Sequence, residues 1–182
     1  MRLALMILAV LAPCAASAAS CHPDGGAVVL TVAGDVAAPN RGGNTPTDQF
    51  ITHQDHTFSK ARAFTTDALA ALPPRDVPMV LPYDGHPHVF TGPPIAAILA
   101  AAGAKGGITV QGIDTYHVDY SAADLAALNP ILALCMDGKP LGIGDLGPGF
   151  VVYTPKAHDT PNDDEFARMV WGVYVMTPLP PG

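Results

Sequence analysis

Positive charge, cysteine and long apolar runs are all scarce in this chain, and each scarcity removes a class of function. Lysine and arginine together number 9 against 16 acidic residues, for a formal charge of −7. An excess of that sign is repelled by phosphate backbones and anionic lipid headgroups, which argues against nucleic acid and membrane surfaces as partners. The 3 cysteines include none in a local signature with histidine. There is no Gly-x-Ser-x-Gly elbow, no pair of carboxylates spaced for hydrolysis, and no G-x-x-x-x-G-K loop for a nucleotide phosphate. The first apolar run, Leu3 to Leu11, is shorter than the roughly 20 residues that cross a bilayer. An integral membrane protein is therefore not expected.

That short run has another reading. Arg2 supplies a positive start, and Ala16-Ser17-Ala18 a small-x-small cleavage site, so 1–18 is read as a signal peptide. The expected location is periplasmic or secreted, with 19–182 forming one domain. A lipoprotein attached through Cys21 fits less well, because Ala18-Ala19-Ser20 lacks the usual leucine three residues earlier. Loss of Arg2 takes the charge from −7 to −8. Cys21 and Cys135 survive processing, and in an oxidising compartment they either pair or stay apart with Cys135 buried as a small thiol.

What is present is a loop-rich chain, with 18 glycines, 19 prolines and 49% hydrophobic residues, too apolar for disorder. Strands are predicted over Ala27 to Gly34, Phe58 to Thr65, Thr109 to Ile113 and Ile131 to Met136, then Phe150 to Tyr153 and Val170 to Met176, the last with the single tryptophan, Trp171. Asn40 to Gln49 reads as a polar loop. Thr66-Asp67 is expected to cap a short helix, and Asp84-Gly85 to turn the extended stretch Pro78 to Phe90. Pro93-Pro94 presets a helix whose Ile95, Ile98, Leu99 and Ala102 share a face, with Gly103 ending it. Tyr116, Val118 and Tyr120 alternate at the strand period of two. Ser121, with Asp124 three residues on, is an N-cap signal for a second helix. Asp137-Gly138 reads as a hairpin turn, and Asp159 to Glu165 as a solvated acidic loop.

These features, in this order, resemble the molybdopterin-binding domain of the sulfite oxidase family, in its small exported single-domain members. The resemblance rests on F-T-G-P-P-I-A-A-I-L-A-A-A-G-A (Phe90 to Ala104), the Asp114-Thr115-Tyr116 segment, L-A-L-C-M-D-G-K-P-L (Leu132 to Leu141), G-P-G-F-V-V-Y (Gly147 to Tyr153) and the Val170-Trp171 strand. It implies an α+β fold of mixed β-sheets with short helices. It also implies an exported oxidoreductase-like protein holding molybdenum-molybdopterin and serving a small-molecule ligand or an exported redox partner. By the same resemblance Tyr83, Asp84, Tyr116 and Asp145 line the cofactor pocket. The chain departs from the family in two places. Asp76 to Phe90, where the large members carry the molybdenum-ligating cysteine, holds none. Between 77 and 130 the only basic residue besides histidine is Lys105. The alternative is a cofactor-free module on the same fold that binds a small ligand or a protein.

One further chemistry is read from the residues themselves. His86 and His88 stand two apart in an extended segment, so their imidazoles point to one face and are candidates to share a metal. His53 and His56, with His117 and His158, are weaker candidates for the same role.

Overall fold

In this computed structural model, residues 26–180 are described. In chain order the elements are β1 (Val28–Ala33), β2 (Arg41–Gly42), α1 (Gln49–His53), β3 (Lys60–Thr65), α2 (Thr66–Ala70), β4 (Arg75–Leu81), β5 (His86–Gly92), α3 (Ile95–Ala102), β6 (Ile108–Gly112), β7 (His117–Tyr120), α4 (Ala122–Leu128), β8 (Ile131–Ala133), β9 (Cys135–Met136), β10 (Lys139–Pro140), β11 (Phe150–Val152), α5 (Asp163–Phe166) and β12 (Val173–Pro178). The strands form a six-stranded sheet ordered β2-β3-β1-β12-β6-β7, a four-stranded sheet β10-β9-β5-β4, and the pair β11-β8. Mixed sheets with a few short helices make this an α+β fold, as expected.

Two of the three predicted helices form for the predicted reasons. α3 buries Ile95, Ile98, Leu99 and Ala102 against the six-stranded sheet, each large side chain gaining roughly 1.5–3 kcal/mol from burial. Gly103 ends it at φ 67°, where a Cβ would lie 2.8 Å from that of Ala37. α4 opens with a complete capping box. Ser121 Oγ accepts from Asp124 N at 3.0 Å, and Asp124 Oδ2 accepts from Ser121 N at 3.0 Å. Asp137 and Gly138 both adopt positive φ, 51° and 73°, the two-residue turn that matches strand twist between β9 and β10.

Elsewhere the structure corrects the sequence reading. Thr65, not Thr66 or Asp67, caps α2, accepting from Ala68 N at 3.2 Å. Ile131 to Met136 is two strands. β8 pairs with β11, while β9 pairs with β5 and β10. The chain changes sheet there because Leu132 N and Leu134 N donate to the carbonyls of Pro93 and Thr91. Trp171 precedes β12 instead of lying in it. The acidic segment ends in a helix, α5, which Asn162 and Glu165 cap reciprocally. Cys135 is half-buried; Cys21, the partner considered for it, lies outside the described residues, as does the segment 1–18 read as a signal peptide.

Two β-bulges interrupt the six-stranded sheet. In β1 the register against β3 slips between Val28 and Leu30, and in β12 the register against β6 slips between Val173 and Val175. The second slip leaves Val173 and Met176 in the main core while Tyr174 and Val175 pack on the opposite side with Ala33, Ala61, Ile51 and Phe58. A bulge re-aims side chains in this way because one extra residue breaks the alternation of faces.

Candidate functional site

The predicted residues fall in three places. Asp84 and His88 come together at the tip of the β4–β5 hairpin. Asp84 accepts from the backbone N of His86 at 2.9 Å and faces His88 Nε2 at 3.0 Å. His88 Nδ1 faces Asp137 at 2.6 Å, and Asp137 in turn accepts from Val89 N at 2.9 Å. With a carboxylate on each ring nitrogen, both must donate, which only the imidazolium does. Asp137 first and Asp84 second accordingly raise the His88 pKa above its ordinary value. His86 is exposed, with Nδ1 3.9 Å from Asp84. Both ring nitrogens of His88 are thus engaged by carboxylates. Among the described residues no group of three or more His, Cys, Asp or Glu side chains is arranged to hold a metal ion.

Tyr83 and Tyr116 meet the end of α5. The Tyr83 ring stands edge-on to Phe166 at 5.1 Å, and Tyr116 donates its hydroxyl to the Ala167 carbonyl. Tyr120 and Tyr153 do the same for Arg168 and Glu165. Tyr116 and Tyr120 thus satisfy carbonyls left open where this short helix ends, while Tyr153 is a second donor to the Glu165 carbonyl, which also accepts from Arg168 N. Tyr116, expected at a pocket rim, fastens the 165–168 turn. Arg168 lies over the Tyr120 ring at 5.1 Å and donates to Asp124 at 3.2 Å, which holds the Asp124 carboxyl down to about 2. Asp145 stays apart in its own turn, with its N donating to the Gly142 carbonyl at 3.1 Å.

A recess that the sequence did not point to lies between β1, β12 and the segment carrying α1. Its volume is about 340 Å³, and Val28, Val29, Thr31, Phe50, Ile51 and Tyr174 form its walls, with Arg41, Thr47 and Asp48 on one side. Both bulges feed it, β1 through Val28 and Val29 and β12 through Tyr174. Val28 and Phe50 are 56% and 52% exposed. Behind it a polar network fixes Tyr174. Its hydroxyl donates to Gln54 Oε1 at 2.8 Å, Gln111 Nε2 donates to the same oxygen at 2.9 Å, and His56 Nε2 meets Gln111 Oε1 at 3.0 Å. Burial pushes the Tyr174 hydroxyl up to about 12, so it stays a neutral donor. The sequence carried a faint signal here: Gln111 is a polar residue inside an apolar strand, and only a partner from another segment explains its burial.

Comparison with known proteins adds little. No protein-family model matches this chain, and no curated protein does. A solved structure that does match is the sulfane dehydrogenase SoxCD from Paracoccus pantotrophus. The identity is 17% and the TM-score 0.48, over 64% of this chain and 34% of that one. This chain therefore spans about a third of that protein chain's length. At that level the likeness is remote and assigns no chemistry.

Among the described residues the donor set does not fit a thiolate-ligated molybdenum pterin. Cys135 sits on β9 opposite Thr91 and Pro140, away from the walls of the recess. Among the described residues each arginine has a partner of its own, and no two share one: Arg41 pairs with Asp48, Arg62 lies over Phe64 with its Nη1 on the Ala38 carbonyl, Arg75 meets the Asn129 carbonyl, and Arg168 pairs with Asp124. A dianionic phosphate needs converging donors. The concavity that brings Lys156 and Arg168 together is also lined by Asp164 and Glu165.

Proposed function

We propose that this protein is a small-ligand-binding module on a sulfite-oxidase-type fold, working without a molybdenum cofactor, and that the recess over the β1 and β12 bulges is its site. The observation that carries this reading is the convergence of two bulges on one concavity. Each bulge costs ladder hydrogen bonds, and such interruptions gather where a side chain must be re-aimed. Here they deliver Val28, Val29 and Tyr174 to the same walls, beside a half-exposed phenylalanine. A concavity that combines apolar walls with fixed polar groups is what small-molecule sites have in common, and here Thr31, Arg41, Thr47 and Asp48 are the polar part. The polar network behind Tyr174 keeps the floor in one arrangement before any ligand arrives, which lowers the entropic cost of binding.

The module is proposed to act outside the cytoplasm after removal of 1–18, which recovery of the shortened mass from a periplasmic fraction would check. The test of the binding reading begins with protein from a host able to make molybdopterin. Neither molybdenum nor fluorescent oxidised pterin is expected, and either one near a stoichiometric level would overturn it. A fragment library followed by amide chemical shifts is expected to perturb Val28, Thr31, Phe50 and Tyr174 together. Perturbations only at the His88 hairpin would move the site there.

A further inference from the structure

We infer that the ligand of this recess is uncharged, with a hydrogen-bond acceptor beside a donor, as in a primary carboxamide, on a flat apolar body; the inference rests on the binding function proposed for the recess. The ion pair at its edge sets the charge. Arg41 Nη2 donates to Asp48 Oδ2 at 2.6 Å, and the same oxygen accepts from Thr45 N at 2.7 Å and Thr45 Oγ1 at 2.8 Å. Three donors crowd one carboxylate oxygen. Among the described residues no hydrogen bond uses the other oxygen, Oδ1, and no second one uses the Arg41 guanidinium, whose carbon lies 5.1 Å from the Phe58 ring centre. The two side chains are 25% and 15% exposed. Each is thus held in place with hydrogen-bonding capacity left over, Arg41 as a donor and Asp48 as an acceptor.

The pair is fully ionised at neutral pH, because the Arg41 hydrogen bond and those from Thr45 hold the Asp48 carboxyl down to about 2. Its net charge is therefore zero. An incoming carboxylate would meet Asp48 as closely as Arg41, and an incoming ammonium would meet Arg41 as closely as Asp48. In either case one contact is repulsive. A carboxamide uses both, its carbonyl accepting from Arg41 and its N–H donating to Asp48 Oδ1. Its apolar body is accounted for by Val28, Ile51 and the Phe50–Tyr174 edge-on pair, 4.8 Å between ring centres. A volume of about 340 Å³ lies at the lower end for ligand pockets, which favours a single ring over a long chain.

Three single-ring probes that differ in charge separate the alternatives: benzamide, benzoate and benzylamine, titrated into the intact protein at neutral pH with amide shifts as the readout. Benzamide is expected to bind at least tenfold more tightly than either ion, shifting Val28, Thr31, Phe50 and Tyr174. Asp48→Asn strips the negative partner and is expected to turn the preference to benzoate. Arg41→Gln is expected to turn it to benzylamine. Tighter binding of either ion by the unaltered protein overturns the ligand class while leaving the recess as the site. No shift at the recess with any probe or library fragment overturns the site itself. The unaltered protein decides the ligand class even if a variant fails to fold.

Discussion

At the scale of single residues, His88 is the side chain whose state most changes what it holds together. It joins the β4–β5 turn, through Asp84, to the β9–β10 turn, through Asp137. Because the folded imidazolium has the raised pKa, its contribution to stability is complete below the ordinary value of 6.5 and is lost as pH rises through the folded value. The carboxylates run the other way. Asp84 and Asp137 are lowered from 3.8, chiefly by backbone N–H groups, so their contribution is complete above that value and fades as pH falls through their folded ones. The clip is strongest between the two limits. Melting curves from pH 5 to pH 9 are expected to show the unaltered protein losing its advantage over His88→Gln as pH rises. A gap that stays constant across that range would show that the imidazolium is not what joins the turns. The hairpin and its Asp-Gly turn were legible from the sequence. Asp137 was not legible as the partner, because a residue 49 positions away is brought there only by sheet pairing.

At the scale of elements, legibility followed the strength of local signals. α3 and α4 were readable because caps and apolar spacing agree with each other. α1 and α5, with 5 and 4 residues, bury no side chain and so leave no period to read. The β8–β9 break was hidden because both halves are apolar; what separates them is the crossing of β5. Gly92 marks that crossing. A Cβ there would lie 1.9 Å from the Leu132 carbonyl oxygen, a contact that only backbone movement relieves. Gly103 is limited instead by its positive φ and a 2.8 Å approach to Ala37. Gly103→Ala is expected to cost roughly 1–3 kcal/mol, and Gly92→Ala more, since two sheets must part. Urea unfolding of both would check the order, and equal midpoints would contradict it. Ser121→Ala, which removes one half of the capping box, is expected to cost about 1 kcal/mol in the same measurement.

At the scale of the whole molecule, the recess is made by residues far apart in the chain, those between Val28 and Ile51 together with Tyr174. Tyr174 lies 120 positions from Gln54, its hydrogen-bond partner, and the pairing of β1 with β12 is parallel. A local reading of sequence has no access to either fact, nor to the register slips that turn Val28, Val29 and Tyr174 into walls. Tyr174→Phe removes the hydroxyl while keeping the ring. It is expected to cost about 1–2 kcal/mol, because the Gln54 oxygen loses a donor in a partly buried setting. Hydrogen exchange over 49–58 should quicken in the variant, and unchanged exchange would show that the network does not hold α1.

The same topology makes the chain's last strand a condition for folding. β12 stands inside the six-stranded sheet, with β1 and β3 on one side and β6 and β7 on the other. It also supplies Val173 and Met176 to the main core and Tyr174 and Val175 to the far side. Without it, β1 and β6 each expose an edge, and the main core loses the strand that joins its two halves. A trimmed edge strand frays locally, whereas a missing interior strand leaves two fragments that cannot pair with each other in the same register. A chain ending at Gly172 is therefore expected to show no cooperative melt and a collapsed amide spectrum. Replacing Met176 by Ala, which keeps the strand and opens a cavity, should cost roughly 2–5 kcal/mol and leave a native spectrum. If the shortened chain melted cooperatively, β12 would be shown not to be a condition for folding. Because long-range pairing must precede closure of this sheet, folding is expected to be slow, on the millisecond to second scale of sheet-rich domains, with β12 docking late.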